Sequence, residues 1–228
     1  MIHYILNGAY SERGGNKLFQ QMVNYFSSNS EQYLQYVWEH LSLSIIALII
    51  ALIIGIPLGY ISYKNKKLAE IFTSTSQFLR IIPSLAILFV LIPIIGTGEA
   101  PALIALIFLA VPSIIINTIL GFNEIPEVMK EVGLSMGMNN KELLTRIEYP
   151  LALPFILNGV KLALVEIIAS ATLATYIGAG GLGTLIFTGL GLYRMDLLVI
   201  GGGTVTILSL LSMFLFDWMI ERVTKNYG

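Results

Sequence analysis

The sequence predicts an all-α integral membrane protein with about five transmembrane helices and one organised loop. Of its 228 residues, 56% are hydrophobic and only 12% charged, and mean hydropathy is +0.80. A soluble domain carries about 25% charged residues, so lipid is the main solvent of this chain. Apolar stretches also recur at the length, about 20 residues, that crosses a hydrocarbon layer as helix. Between them, only residues 121–150 are long and polar enough to fold as a unit.

Residues 1–40 are polar and of mixed charge, and read as an N-terminal extracytoplasmic segment without the apolar core of a cleavable signal peptide. The first apolar stretch, 41–63, reads as an uncleaved span. Residues 72–95 open on Thr73-Ser74-Thr75-Ser76-Gln77, turn apolar after Arg80 and give the second. Residues 100–120, 151–177 and 195–216 give the third, fourth and fifth. The transmembrane domain thus covers 41–222, and 223–228 form a tail. Pro57, Pro83, Pro93, Pro101, Pro112 and Pro154 fall in or beside the spans. Bent helices are tolerated where neighbouring helices satisfy the freed carbonyls.

Lysine and arginine counts orient the chain. One side holds Lys64, Lys66, Lys67, Arg80, Lys130, Lys141, Arg146, Arg222 and Lys225, and the other holds Arg13, Lys17 and Arg194. With Lys161 set aside, this places the N-terminus outside and the C-terminus in the cytoplasm, as an odd number of spans also requires. The formal net charge of −1 gives no footprint for nucleic acid. Cysteine is absent and the histidines are only His3 and His40, which argues against disulfides, thiolate chemistry and a histidine or cysteine metal site.

The loop 121–150 reads as two short helices meeting at a glycine. Val128, Val132 and Met136 recur every four residues and make a narrow apolar stripe. Pro126 suits the first turn, and Gly137 suits a left-handed terminus. Asn139 and Glu142 have capping-box spacing, while Leu143, Leu144 and Ile147 face one way and Pro150 begins the return to the membrane. On pattern alone, the loop either rests on the lipid interface or docks a partner, helix in groove.

Two further features bear on function. Lys161 and Glu166 fall inside the fourth span, where a charge costs a few kcal/mol unless it meets protein or water. Lys161 is close enough to the cytoplasmic face to snorkel. Glu166 is deeper and is a candidate for the pathway or a subunit contact. Gly178-Ala179-Gly180-Gly181-Leu182-Gly183 has the G-x-G-x-x-G spacing of a dinucleotide turn. That turn needs a strand before it and an acidic residue about 20 positions on; here a span precedes it and Asp196 opens the next one. Gly178, Gly180, Gly181 and Gly183 read instead as a sharp reversal with close backbone packing.

Glu131-Val132-Gly133, Gly137, Ile147 and Pro150 match the EAA motif, E-A-A-x3-G-x9-I-x-L-P, of ABC importer permeases, with Val132 and Gly133 at the alanines and Tyr149 at the leucine. "RIIPSLAILFVLIPIIGTGEAPALIAL" (80–106), "YPLALPFILNGVKLAL" (149–164) and "IGAGGLGTLIFTGL" (177–190) resemble permeases for glycine betaine, carnitine and choline. The resemblance runs over about residues 33–222. It implies a type I ABC importer permease fold with a cytoplasmic coupling-helix loop, in the plasma membrane of a prokaryote. It also implies that Glu131, Val132, Gly133, Met136, Gly137, Leu143, Leu144, Ile147 and Pro150 couple to an ATPase, and that the glycine turn lies near an external gate. The implied partners are a second permease subunit in a homodimer, two cytoplasmic ATPase subunits and an extracytoplasmic substrate-binding protein. The implied cofactors, ATP and Mg, belong to the ATPase; this chain has no P-loop motif and is not expected to be an enzyme. An ABC permease for another small solute, an exporter on the same scaffold, and an ATP-independent secondary transporter using Glu166 remain as alternatives.

Overall fold

A computed structural model describes residues 2–227, with side chains for 15–225; His3, Arg13 and the last residues of the tail therefore fall wholly or partly outside the described set. Every regular element among the described residues is helical, in the order α1 (Ile2–Tyr63), α2 (Lys66–Leu79), α3 (Ser84–Ile95), α4 (Glu99–Asn123), α5 (Glu127–Ser135), α6 (Asn140–Leu143), α7 (Tyr149–Ala171), α8 (Gly183–Leu192) and α9 (Met195–Tyr227). A π turn, Leu144–Glu148, joins α6 to α7, and a 3-10 turn, Leu173–Ile177, follows α7.

Four helical stretches are long and apolar enough to cross a membrane: Gly15–Tyr63, Glu99–Asn123, Asn140–Ala171 and Met195–Lys225. The fifth expected crossing, 72–95, is not one straight helix, because α2 and α3 meet at an angle of 92°. The break falls at Arg80–Pro83. A proline drives the residue before it out of the helical region, and Pro83 is itself extended (φ −60°, ψ 132°).

α4 is the central helix, flanked by α1 and α7. Small residues let the three approach closely, as expected where lipid supplies no hydrophobic drive between helices. Ala47 and Ala51 of α1 pack on Leu106, Ala110 and Ile114 of α4, which in turn pack on Ala163 and Ile167 of α7. At Gly55 and Gly59 of α1 an added Cβ would lie 2.8 Å from Ile114 Cγ2 and 2.5 Å from Thr118 Cβ. Their G-x-x-x-G spacing suits the close approach of α1 to α4.

Helix also extends beyond the expected spans at two places. The segment before residue 41 is helical and continuous with the first span, with one kink at Asn29 (φ −134°, ψ 26°). Met22, Tyr25, Tyr33 and Val37 pack there against Leu182, Leu185 of α8, and Leu197 and Ile200 of α9, and Tyr33 Oη lies 2.9 Å from Thr204 Oγ1. Chain from Gly183 to Leu192, which lies between the fourth and fifth expected spans, forms α8, which pairs with α9.

Candidate functional site

The 121–150 segment is built at one end of the bundle. Pro126 stands just before α5, with ψ 131°, one position earlier than the first-turn place its type suggests. Gly137 (φ +84°) ends the helix. Gly137 N–H donates to Leu134 O and Met138 N–H to Gly133 O, at 2.9 and 3.1 Å; this pair of bonds is a Schellman closure. The Asn139 carboxamide then accepts from the Lys141 and Glu142 N–H groups, each at 3.0 Å, and Asn139 N–H donates to Glu142 Oε2 at 3.0 Å. The capping box is therefore complete.

The residues of the loop divide into two layers. Val128, Val132 and Met136 are exposed, with Met129 and Leu134 beside them, and Glu131 and Gly137 are exposed as well. Leu143 is buried, Leu144, Ile147 and Pro150 are half-buried, and Gly133 is buried beneath them. A Cβ on Gly133 would sit 2.7 Å from Ile147 Cδ1 and 2.8 Å from Leu143 Cδ1. Gly133, Leu143 and Ile147 thus hold the two loop helices together, while Val128, Val132 and Met136 form an apolar face with nothing over it.

The second loop helix does not end at Pro150. Helix runs from Asn140 to Ala171, so the loop and the fourth span share one rod. Proline lacks an N–H and its ring crowds the preceding turn; the π turn at Leu144–Glu148 widens the helix where Pro150 needs it.

Next to the loop, the end of α1 presents Tyr60 and Tyr63. These pack on Phe122, with ring centroids 5.0 and 5.2 Å away. Lys64 Nζ lies 3.7 Å from Glu148 Oε2. Burial opposes the Lys64 charge, yet Glu148 with Tyr60 and Tyr63 outweighs it and holds the ammonium above the ordinary lysine range. Lys130 of α5 is raised likewise: desolvation opposes its charge, and Glu127 and Tyr63 prevail.

Inside the membrane-spanning part, Ser113 Oγ donates to Glu166 Oε2 at 3.4 Å, and Asn117 Nδ2 donates to Ser113 O at 2.8 Å. Asn158 Nδ2 donates to Asn117 Oδ1 at 3.0 Å. A polar thread therefore runs between α4 and α7. Lys161 pairs with Asp217 of α9 at 2.6 Å instead of standing free. Fifty-six residues separate the two, which is why local spacing gave no signal.

At the opposite end, Gly178, Gly180 and Gly181 have φ of +83°, +74° and +79°. Thr175 Oγ1 donates to Gly180 O at 2.7 Å, and Gly181 N–H donates to Glu39 Oε2 at 2.9 Å. An added Cβ on Gly183 would run into the Thr172 carbonyl. Glu39 also borders a cleft of about 320 Å³ with Ser42 and Glu99. Among the described residues, no group of three or more histidine, cysteine or acidic side chains is placed to hold a metal.

Residues 51–226 match the family model described as "Binding-protein-dependent transport system inner membrane component". The chain is 39% identical to the carnitine transport permease protein OpuCB of Listeria monocytogenes, over 90% of this chain and 94% of that protein. It is 36% identical to the glycine betaine/carnitine/choline transport system permease protein OpuCB of Bacillus subtilis (strain 168), over 90% and 95%. Its fold is similar to a chain of the inward-facing MetNI methionine ABC transporter, with TM-score 0.75 and 25% identity over 84% of this chain and 95% of that one. Such chains are permease subunits of ABC importers and work with ATPase and substrate-binding partners. This multi-pass plasma-membrane chain belongs to the family of binding-protein-dependent transport system inner membrane components.

Proposed function

We propose that this permease subunit moves quaternary-ammonium compatible solutes, such as glycine betaine, carnitine and choline, into the cell. The relatives named for these solutes support the class, and the carboxylates of Glu39, Glu99 and Glu166 suit an ammonium group. Two copies of the chain pair, and two ATPase subunits bind ATP and Mg below them. A separate binding protein delivers solute from outside, where the N-terminus lies; nine loop-side cations against three support that orientation.

The observation that carries the mechanism is the uncovered face of α5. Val128, Val132 and Met136 are 65%, 49% and 72% exposed, on a helix held to its neighbour by Gly133, Leu143 and Ile147. Such a face seats in a groove of the ATPase. When ATP closes the ATPase pair, α5 moves, and the shared rod Asn140–Ala171 carries that motion into the membrane, switching the bundle between inward- and outward-facing. Glu166 lines the path, and the Gly178–Gly183 turn shapes the outer gate.

Co-purification with the ATPase, then reconstitution in vesicles with the binding protein, tests this reading. Glycine betaine, carnitine or choline should raise ATP hydrolysis and enter the vesicles, while an unrelated sugar should do neither. A second reading, another small solute, is favoured by the likeness to a methionine transporter; methionine stimulating hydrolysis where the ammonium solutes do not would select it.

A further inference from the structure

Tyr63 is a meeting point of four elements. Its ring stacks on Phe122 at the end of α4, with an interplanar angle of 24°. Lys130 Nζ of α5 lies 5.6 Å from the ring centroid, and Lys64 Nζ, in the α1–α2 connection, lies 5.1 Å away. The phenol donates a long hydrogen bond, 3.4 Å, to Glu148 Oε1 on the π turn. The Glu148 side chain is only 4% exposed. A buried carboxylate needs its partners, because an unpaired charge there is strongly unfavourable, and ammonium groups over an aromatic face are attracted by its quadrupole.

These contacts give α5 a second mechanical connection. Covalently, α5 is tied only to α4 through residues 124–126 and to α6 through residues 136–139. Through Lys130 it also holds Tyr63, the last residue of α1. Three residues later α2 begins, capped by the Asn65 side chain, and α2 leads into the 92° break before α3. A displacement of α5 that pulls Tyr63 therefore moves the base of the bent pair directly.

We infer that Tyr63, with Lys64, Lys130 and Glu148, is a joint that passes the movement of α5 to α1 and α2. The inference rests on the reading that α5 docks on the ATPase. All four are positioning residues, since none needs to touch solute or nucleotide. The π turn belongs to the device: its extra residue per turn changes the direction in which Glu148 leaves the helix, and such turns gather at functional positions.

The test compares solute uptake and ATP hydrolysis in the same vesicles for the full complex. Tyr63→Leu removes ring and hydroxyl, Tyr63→Phe keeps the ring, and Lys130→Met removes one cation from a surface helix. In Tyr63→Leu and Lys130→Met, solute moved per ATP should fall at least about fivefold while hydrolysis stays within about twofold, the size of an ordinary coupling between sites. Tyr63→Phe should keep most of the unmutated ratio. An unchanged ratio, or uptake and hydrolysis falling in proportion, overturns the joint. A double-mutant cycle of Tyr63→Leu and Lys130→Met on melting temperature reads the contact without transport; additivity there overturns the joint even if the unmutated chain moves no solute. ATP-independent uptake by the unmutated chain would instead overturn the functional reading.

Discussion

The Glu39 carboxylate accepts a hydrogen bond from the Gly181 backbone N–H at 2.9 Å, across 142 positions of sequence. A glycine run with the spacing of a phosphate-binding turn thus holds an anion, and the chain itself supplies it. Successive N–H groups in left-handed turns form such anion-binding nests. Gly180 and Gly181 both have φ above +70°, and a Cβ on Gly180 would lie 2.5 Å from Glu39 Oε2. Gly180→Ala should therefore lower stability by about 1–3 kcal/mol through backbone strain and the displaced carboxylate. Thermal unfolding of the detergent-solubilised protein checks this, and Glu39→Gln, which keeps an acceptor, should cost less.

Lys161 and Asp217 tie α7 to α9 within the membrane-spanning part, with the Lys161 side chain mostly covered and the Asp217 side chain about half exposed. Losing one partner strands the other charge, whereas replacing both with apolar groups removes the problem. Lys161→Met should lower the melting temperature by a few degrees, and Lys161→Met with Asp217→Leu should recover most of it, a coupling that a double-mutant cycle reads directly.

Asn139 caps the second loop helix through its side chain. Asn139→Ala should destabilise the start of the Asn140–Ala171 rod by about 1 kcal/mol, the usual loss for a cap. Faster amide hydrogen exchange confined to residues 140–145 is the expected signature.

Gly133 is the contact point of the loop helices. Gly133→Leu should force α5 away from Ile147 and Leu143 and weaken ATPase binding, although the residue itself is buried. Overpacking of this kind costs about 1–3 kcal/mol. Gly133→Ala should have the smaller effect, and co-purification yield of the ATPase separates the two.

Much of this architecture was legible because membrane sequence is written in long-range hydropathy and local turn chemistry. Asn139 and Glu142 announce their capping box within four residues, and Gly137 its left-handed end. The 92° break was hidden since the apolar run continues through Pro83 and prolines elsewhere, such as Pro57 and Pro154, sit inside unbroken helices. Whether a proline bends or breaks a helix depends on neighbours that one segment does not display. Pairings such as Lys161 with Asp217, Tyr63 with Glu148 and Glu39 with Gly181 link distant positions, and nothing in the spacing of either partner forecasts them. The loop motif likewise named residues without saying which face outward; burial divides them, with Val132 and Met136 out and Leu143 in.

The central claim is that the exposed α5 stripe is where ATP hydrolysis is turned into transport. Its most direct test is ATP-driven uptake of labelled glycine betaine, carnitine or choline by the reconstituted complex, with and without Val132→Asp. A charge in that apolar face should abolish ATPase docking and reduce uptake to background, with the permease still folded and at its unmutated melting temperature. Uptake that persists with Val132→Asp, or that needs no ATPase subunit, would contradict the account.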